Sequence, residues 1–579
     1  MPDSLRFLRA ELRPFVVPLT WSYVLSLGAV GVGLLLPWPF KMLIDDVLAG
    51  RGAPLAGAPI HLTPGGWVVA LAAGFVFLTA IESWLGSEQR LRAAEVRERL
   101  TRRLRRRLLD HLHALPPAAG ADRTGELVHR LVTDANLLAR FLTRNVPIII
   151  RHVTTSVLML AIMVWMAPGA AVTGLVTIVP LALLVRHYGR QLQGAVDTKR
   201  TEEGAVAGLA QEIVRAVPTT QALGRERETG ERFDRANETS LRAGLRMTMV
   251  MARMERTLRT GQGLAVALVM GMGGWLVLRG RLTVGELTVV MTYTALMLKP
   301  IEKVNDLASA TARGLTATSR IREVLARVPL VRDITGAVPV ASCAGLVEMH
   351  HIAFRYSAGN AGATGFALRD VSFRAEPGAL TVITGPSGAG KSTILHLALR
   401  LLDPDAGEVR LDGRLVREIR LRDLRAQFAV VRQDTHLFAG SWRDALRLDD
   451  RATDDAMWEA LSRVALDRYV QGLRGGLDAP IDENGDNLSG GQRRRLALAR
   501  ALVVPRPILL LDEPLAHVDA ASAEIILDTI QACRVARTCL AVSHHRGLMA
   551  RADRVYRLND GRLTVADASY RGRVEAGIR

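Results

Sequence analysis

Long apolar runs dominate the first half of this sequence. They cover residues 15–39, 67–85, 146–185 and 263–297. A helix that crosses the hydrocarbon core of a bilayer needs about 20 mostly apolar residues. The third and fourth runs are long enough for two spans each, with breaks at Pro168 and around Gly280. The sequence therefore predicts six membrane-spanning helices, with tight external turns at the two breaks.

Basic stretches separate the apolar runs. The 579-residue chain is 49% hydrophobic and yet has a formal net charge of +18. Nine arginines lie in residues 90–107, and a second basic stretch covers residues 186–259. Because cytoplasmic loops of membrane proteins are enriched in Lys and Arg, both stretches, the N-terminus and the C-terminal half are predicted to lie in the cytoplasm. This orientation predicts a multi-pass protein of the cell (inner, cytoplasmic) membrane, with the lipid bilayer as a partner.

A basic chain can instead bind nucleic acid. Such proteins combine a basic face with aromatic residues or a known reading module. Aromatic residues make up only 5% of this chain and no such module is visible, so no nucleic-acid partner is expected. The first residues contain two acidic groups and no small-residue cleavage site, which predicts no cleaved signal peptide. The three cysteines, Cys343, Cys533 and Cys539, are expected to be reduced, buried thiols.

The first basic stretch has helical periodicity. Leu100, Leu104, Leu108 and Leu112 recur every four residues and form one apolar stripe along a helix. Arginines between them cover the opposite face. The pattern predicts membrane helices that continue well beyond the bilayer and present a contact surface to the second domain.

A glycine-rich loop follows the strand-like run at residues 380–384 and precedes a helix-like run. This order of strand, loop and helix is what a P-loop requires, because its backbone N–H groups converge on one anion at a helix N-terminus. Lys391 is predicted to reach the outer phosphates of ATP, and Ser392 to ligate Mg²⁺. The predicted nucleotide-binding residues here are Gly385, Pro386, Ser387, Gly388, Ala389, Gly390, Lys391, Ser392 and Thr393.

A second motif, PILLLDEP at residues 507–514, places two acids after four apolar residues. The apolar run predicts a buried strand, and open α/β sheets bind ligands at the carboxyl ends of their strands. Asp512 is predicted to hold Mg²⁺ through water, and Glu513 to orient and polarise the attacking water.

The third motif is LSGGQ at residues 488–492. Together with GPSGAGKST and LLLDEP at these spacings, it makes the chain resemble the ABC ATPase superfamily, and specifically the exporter-type half-transporters. The resemblance covers essentially the whole chain, including PFKMLIDDVL, RTGELVHRL and GRLTVGELTVV. It implies an α-helical six-span transmembrane domain with long cytoplasmic helix extensions (residues 1–325), followed by an α/β P-loop ABC ATPase domain (residues 326–579).

The resemblance also implies individual roles. Tyr356 is expected to stack on adenine, Gln433 to link Mg²⁺ to the membrane domain, and Asp519 to lie near a dimer interface. His544 is expected to contact the γ-phosphate, so that Glu513, His544, Gln433 and Lys391 form the catalytic set. The ATP-contacting signature residues are Ser489, Gly490, Gly491 and Gln492. Two small departures from the family pattern, Pro514 and the AHVD sequence before the D-loop aspartate, remove no catalytic group.

In this family each ATP lies between the P-loop of one domain and the LSGGQ of another. The resemblance therefore implies a dimer, either a homodimer or a heterodimer with a related chain. Loops at residues 125–131 and 219–224 are expected to transmit motion between the domains.

The predicted activity is ATP-driven transport by one half-transporter. Export of an amphipathic or hydrophobic cargo (drug, lipid or peptide) is expected; import of a metal chelate and ATP gating without transport are the alternatives. A soluble mechanical ATPase is disfavoured by the apolar runs. Lys41, Arg151 and Lys299 either face a translocation path or extend to the membrane interface, the latter being favoured for Lys41 and Lys299.

Overall fold

The structure is a computed structural model, which describes residues 2–49, 62–115, 124–297, 299–329, 331–356, 366–434, 436–447 and 452–566. Contacts within the chain divide it into two compact units. The first, here called the helical unit, is Met1–Leu109 with Leu127–Ala326, and the second, the α/β unit, is Asp110–Glu126 with Arg327–Arg579.

Eleven α-helices precede the first strand in the described residues. They are α1 (Pro2–Leu12), α2 (Val16–Leu35), α3 (Trp38–Met42), α4 (Pro64–Ala114), α5 (Thr124–His129), α6 (Ala135–Arg140), α7 (Val146–Met166), α8 (Pro168–Ala222), α9 (Glu226–Leu278), α10 (Val284–Leu296) and α11 (Lys299–Ala326). Three π-helical segments, Leu43–Leu48, Arg130–Asp134 and Phe141–Asn145, continue from or join neighbouring helices.

Helices α4, α8 and α9 contain 51, 55 and 53 residues. At about 1.5 Å per residue each is roughly 75–80 Å long, against about 30 Å for the hydrocarbon core. These helices therefore continue well beyond a bilayer, as the leucine stripe predicted. Within the stripe, Leu100, Leu104 and Leu108 are buried.

Five helical stretches of the described chain are long and apolar enough to cross a membrane: Arg6–Leu48, Pro64–Ala114, Gly125–Met166, Pro168–Ala222 and Glu226–Leu278. They match five of the six predicted spans. The sixth predicted span corresponds to α10, a shorter apolar helix. The predicted breaks are confirmed: Ala167 alone separates α7 from α8, and Gly280 lies in the turn after α9. Apolar side chains that remain exposed on α4, such as Val76 and Phe77, are suited to contact lipid.

A polar cluster joins the segment after α2 to the start of α10. The buried carboxylate of Asp45 accepts hydrogen bonds from the Thr283 hydroxyl (2.5 Å) and the Gly285 N–H (2.8 Å). The Lys41 ammonium lies 3.4 Å from Asp45 and 3.9 Å from Glu286. Lys41 is therefore ion-paired within the helical unit, and its placement at the membrane interface stays a prediction.

The other two cationic candidates differ. Arg151 is half-buried within α7. The side chain of Lys299 lies outside the described part of the structure, so its predicted placement stays a prediction.

The α/β unit contains twelve strands among the described residues: β1 (Val347–Arg355), β2 (Phe366–Ala375), β3 (Leu380–Thr384), β4 (Ala406–Leu411), β5 (Arg414–Leu415), β6 (Phe428–Val431), β7 (Gly440–Ser441), β8 (Pro480–Ile481), β9 (Ile508–Asp512), β10 (Thr538–Val542), β11 (Arg554–Asn559) and β12 (Arg562–Val565). Its helices are α12 (Lys391–Ala398), α13 (Leu421–Ala426), α14 (Trp442–Leu446), α15 (Asp454–Arg463), α16 (Asp467–Gln471), α17 (Gly490–Leu502), α18 (Ala520–Cys533) and α19 (Arg546–Ala550).

Two main sheets organise the unit. One is antiparallel with strand order β2-β1-β4-β5, and the other is mostly parallel with order β12-β11-β3-β10-β9-β6. Strands β3, β9 and β10 are mostly apolar, and every residue in them is buried except Asp512, the last residue of β9. Such runs are typical of parallel strands covered on both faces. The three strands lie side by side, with Val542 opposite both Ile383 and Asp512, so their carboxyl ends are level.

All three cysteines are free. Cys533 and Cys539 are buried, as expected, whereas Cys343 is only half-buried.

Candidate nucleotide-binding site

The predicted P-loop connects β3 to α12. Gly390, the residue before α12, has a φ of 97°, and a Cβ on it would lie 2.5 Å from the Ala367 carbonyl oxygen. Only glycine combines that left-handed backbone with such a close approach. The Lys391 ammonium donates to the carbonyl oxygens of Gly385 and Pro386, both at 2.9 Å, and so lies over the loop.

The carboxyl end of β9 lies beside this loop. The Ser392 hydroxyl donates to a carboxylate oxygen of Asp512 at 3.2 Å. Burial raises the pKa of Asp512, and the neighbouring Glu513 charge acts in the same direction, against the hydrogen bond from Ser392. A buried carboxylate beside a second one is stabilised by a bound cation. Ser392 and Asp512, which sequence analysis assigned to Mg²⁺, are thus brought together.

Glu513 follows in a left-handed conformation with a φ of 47°. Its N–H donates to the Val542 carbonyl oxygen at 2.9 Å, which attaches it to the end of β10. One carboxylate oxygen lies 3.0 Å from Nδ1 of His544, the second residue after β10. The Glu513 side chain is buried, whereas that of His544 is 73% exposed. Glu513, the predicted base, and His544, the predicted γ-phosphate contact, are therefore paired, and the His544 side chain faces solvent.

The LSGGQ motif forms the start of α17. The Ser489 hydroxyl accepts a hydrogen bond from the Gln492 N–H, and the Gln492 side chain accepts one from the Ser489 N–H. A Cβ on Gly491 would lie 2.6 Å from a carboxylate oxygen of Asp519, the residue that caps α18. A Cβ on Gly490 would lie 3.4 Å from the His517 carbonyl oxygen. The signature motif and the D-loop therefore pack against each other.

Tyr356 and Gln433 occupy different surroundings. The Tyr356 hydroxyl lies 3.0 Å from the Thr393 hydroxyl, and its ring meets Phe354 edge-on with 4.9 Å between centroids. Gln433 is exposed, and within the described chain its side chain forms no hydrogen bond. Its backbone carbonyl does accept one, from Arg494.

Sequence reasoning missed Arg494. Its guanidinium donates to the carbonyl oxygens of Arg432 (2.9 Å), Gln433 (2.6 Å) and Ala516 (3.5 Å), and burial lowers its pKa. One side chain on the signature helix thus holds the segment around Gln433 and the segment after Glu513. Its position two residues after Gln492 was the available signal, but the sequence did not indicate where the side chain points.

One predicted association is not formed within the chain. Among the described residues, no hydrogen bond or ion pair joins the signature residues 489–492 to the P-loop residues 385–393. The P-loop, Asp512, Glu513 and His544 are grouped at one edge of the sheet, and the signature motif has its own contacts with the D-loop.

Comparisons with known proteins match both units. The family model for the ABC transporter transmembrane region matches residues 19–301, and the family model described as ABC transporter matches residues 368–516. The chain is 29% identical to the ATP-dependent lipid A-core flippase of Alkalilimnicola ehrlichii over 88% of this chain and 85% of the relative. It is 32% identical to the flippase of the same description from Aromatoleum aromaticum, over 79% and 76%.

A third relative is larger. The chain is 28% identical to the multidrug efflux ATP-binding/permease protein of Mycobacterium bovis, over 93% of this chain and 44% of the relative. Among solved structures, a bacterial Atm1-family ABC exporter with ATP bound superposes with a TM-score of 0.72 at 24% identity, covering 96% of this chain and 94% of that one, and so shares the fold. With both family models matched in this order and the Aromatoleum relative matched over most of either chain, this protein belongs to the ABC transporters, the multi-pass membrane proteins that bind ATP and couple its hydrolysis to transport.

Proposed function

We propose that this chain is one half of an exporter that moves an amphipathic cargo, such as a lipid or a drug, away from the cytoplasmic side of the cell membrane. The observation that carries the proposal is the similarity, along most of the chain, to proteins named as lipid A-core flippases and a multidrug efflux protein. The same similarity disfavours uptake of a metal chelate. The arginine-rich extensions of the helices favour a cytoplasmic α/β unit.

The working form is a dimer, homomeric or formed with a related chain. The family resemblance supports this, because in ABC transporters each ATP lies between the P-loop of one domain and the signature motif of another. Within the described residues Ser489–Gln492 make no hydrogen bond to the P-loop of their own chain, which is compatible with this arrangement. Asp519, which packs against Gly491, lies at the same interface. ATP then draws two P-loops toward two signature motifs, and hydrolysis releases them.

The residues at the sheet edge suit hydrolysis of ATP with Mg²⁺. Lys391, now on the loop carbonyls, would turn to the phosphates, and Ser392 and Asp512 would hold the ion. The hydroxyl of Ser392 and the carboxylate of Asp512 are oxygen ligands of the kind Mg²⁺ prefers beside substrate phosphates. When bound, Mg²⁺ neutralises charge on the outer phosphates.

The remaining groups act on the attacking water and the nucleotide. Glu513 orients and polarises the water for in-line attack on the γ-phosphate, and His544 leaves Glu513 to contact that phosphate. Gln433 connects the site to the helical unit, and Tyr356 rotates from Phe354 to stack on adenine. Positioning and charge stabilisation provide most of the rate acceleration.

A leaflet assay tests the proposed function. The purified protein is reconstituted in vesicles containing a trace of fluorescent lipid, ATP is added outside, and lipid in the outer leaflet is quenched chemically. Because the ATPase faces outward in the active molecules, export predicts ATP-dependent loss of label from the outer leaflet. Lys391→Ala is the matched control. Equal loss in both proteins, across a panel of lipid and drug cargoes, would contradict the proposal.

A further inference from the structure

A cavity of about 1020 Å³ lies within the helical unit, between α8, α11 and the region of residues 129–137. Five arginines line it: Arg186, Arg190, Arg200, Arg313 and Arg320. They come from two helices that are more than 100 residues apart in the sequence, so only the packing of α8 against α11 brings them together. We refer to this space as the arginine cavity.

The five arginines of the cavity are exposed, and they differ from other exposed arginines of the same unit in their ion pairing. On the exposed faces of α4 and α9, arginines pair with a carboxylate one turn away: Arg92 with Glu88, Arg242 with Glu238 and Arg259 with Glu255, at 2.7–3.0 Å. In the cavity, Arg186, Arg190, Arg200 and Arg313 have no carboxylate within 4 Å in the described part of the chain, and Arg320 is 3.9 Å from Asp134. Among the described residues, no ion pair within 4 Å therefore neutralises these four charges.

Two aspartates oppose five arginines in this lining. Asp134 is buried, with one carboxylate oxygen 3.9 Å from both His129 and Arg320. Asp197 is exposed. The cavity is therefore electropositive overall.

The lining also has an apolar part, which includes Leu137, Val185, Val196 and Met251. Its position relative to the membrane follows from α8. Val185 ends the predicted span, Arg186 and Arg190 follow within about 8 Å, and Arg200 lies about 22 Å beyond, at 1.5 Å per residue. Cationic groups thus begin at headgroup depth. The guanidinium fork matches the geometry of phosphate, and the cavity volume of about 1020 Å³ is at the upper end of the range for small-molecule sites, about 300–1,000 Å³.

We infer that the arginine cavity binds the phosphate-bearing headgroup of an anionic amphiphile at the cytoplasmic end of the spans. This inference rests on the proposed function, because it names the class of cargo that the exporter takes up. Phosphate oxygens pair with arginines of α8 and α11, and the first part of an acyl chain contacts the apolar lining.

Equilibrium binding to the purified full-length protein in detergent, without nucleotide, tests this. The probes are dioctanoyl phosphatidic acid, the zwitterionic dioctanoyl phosphatidylcholine and free glycerol 3-phosphate. We expect phosphatidic acid to bind at least 10-fold more tightly than either other probe, and its affinity to fall as salt is raised. Equal binding of glycerol 3-phosphate would overturn the assignment to an amphiphile.

Variants locate the binding. Arg190→Gln combined with Arg313→Gln should weaken phosphatidic acid binding at least 10-fold, while Arg190→Lys, which keeps the charge, should retain most of it. Arg242→Gln, on an exposed paired arginine, is the matched control and should bind as the wild type does. Basal ATPase activity of each variant reports that it is folded.

The two failures are distinguishable. Unchanged affinity in the double variant would overturn the inference while leaving the exporter function intact. In contrast, a wild-type protein that moves no cargo in the leaflet assay would refute the proposed function, whatever it binds.

Discussion

Replacing Glu513 by glutamine separates chemistry from binding at the candidate site. The side chain is buried, contacts His544 at 3.0 Å and lies after a residue that contacts Ser392. Glutamine keeps the length and an oxygen that can accept a hydrogen bond, so the fold and the P-loop should be preserved. What is lost is one negative charge in a shielded position. Loss of a positioned general base slows turnover by about 10²–10⁴-fold, or roughly 2.7–5.5 kcal/mol in the activation free energy.

The assay is steady-state ATPase activity of the purified protein, together with retention of labelled ATP after rapid gel filtration. We expect Glu513→Gln to lose hydrolysis and to retain ATP, because Lys391 and Ser392 are unchanged. Glu459→Gln is the matched control, since Glu459 is an exposed carboxylate paired with Arg463 on α15. It should hydrolyse ATP within about twofold of the wild type, as exposed ion pairs contribute little.

Two results would refute this reasoning. Hydrolysis by Glu513→Gln within a few-fold of the wild type would show that another group activates the water. Loss of ATP retention would show that Glu513 holds the site together instead of performing its chemistry.

Three further predictions follow from local geometry. Gly390→Ala should weaken binding of a fluorescent ATP analogue at least about 10-fold, because the new Cβ would lie 2.5 Å from the Ala367 carbonyl oxygen; wild-type affinity would contradict the strained P-loop. Asp45→Asn should lower the free energy of unfolding by about 1–3 kcal/mol, because it weakens the contacts of this carboxylate with the Gly285 N–H and Lys41. The apparent melting temperature in detergent should fall for this variant and stay unchanged for the control Asp46→Asn. Burial, and then the charge of Asp412, raises the pKa of Cys343 to about 11. Because the thiolate reacts, alkylation at pH 8 should be about 100-fold slower than for a thiol of pKa 9 and should accelerate up to pH 11; a rate equal to that of the unfolded chain would contradict this.

Much of the site was predictable because its parts are local in the sequence. A P-loop is one continuous strand, loop and helix, and the PILLLDEP motif is one buried strand with its terminal acids. Hydrophobic periodicity likewise predicted the long helices, since a span is defined by about 20 consecutive residues. Family resemblance then supplied expectations for Tyr356, Gln433, Asp519 and His544, whose roles remain proposals.

Contacts between distant residues were not predictable in the same way. The hydrogen bond from the Gly285 N–H to Asp45 joins residues 240 apart in the sequence, and it belongs to a polar cluster that also contains Lys41. In the sequence, Arg494 is one of several arginines in a basic helix. In the structure it donates hydrogen bonds to the backbone at Gln433 and at Ala516, and so joins two segments of the site.

The sequence by itself determined the apolar spans, the strand, loop and helix of the P-loop, the order of the two units and the identity of the nucleotide motifs, because these depend on residue type and spacing within short segments. Tertiary structure decided the rest. The register of β3, β10 and β9 places His544 beside Glu513, and the packing of α8 against α11 gathers five arginines into one cavity. Such positions depend on how side chains fill space between elements far apart in the chain, and no local pattern encodes that geometry.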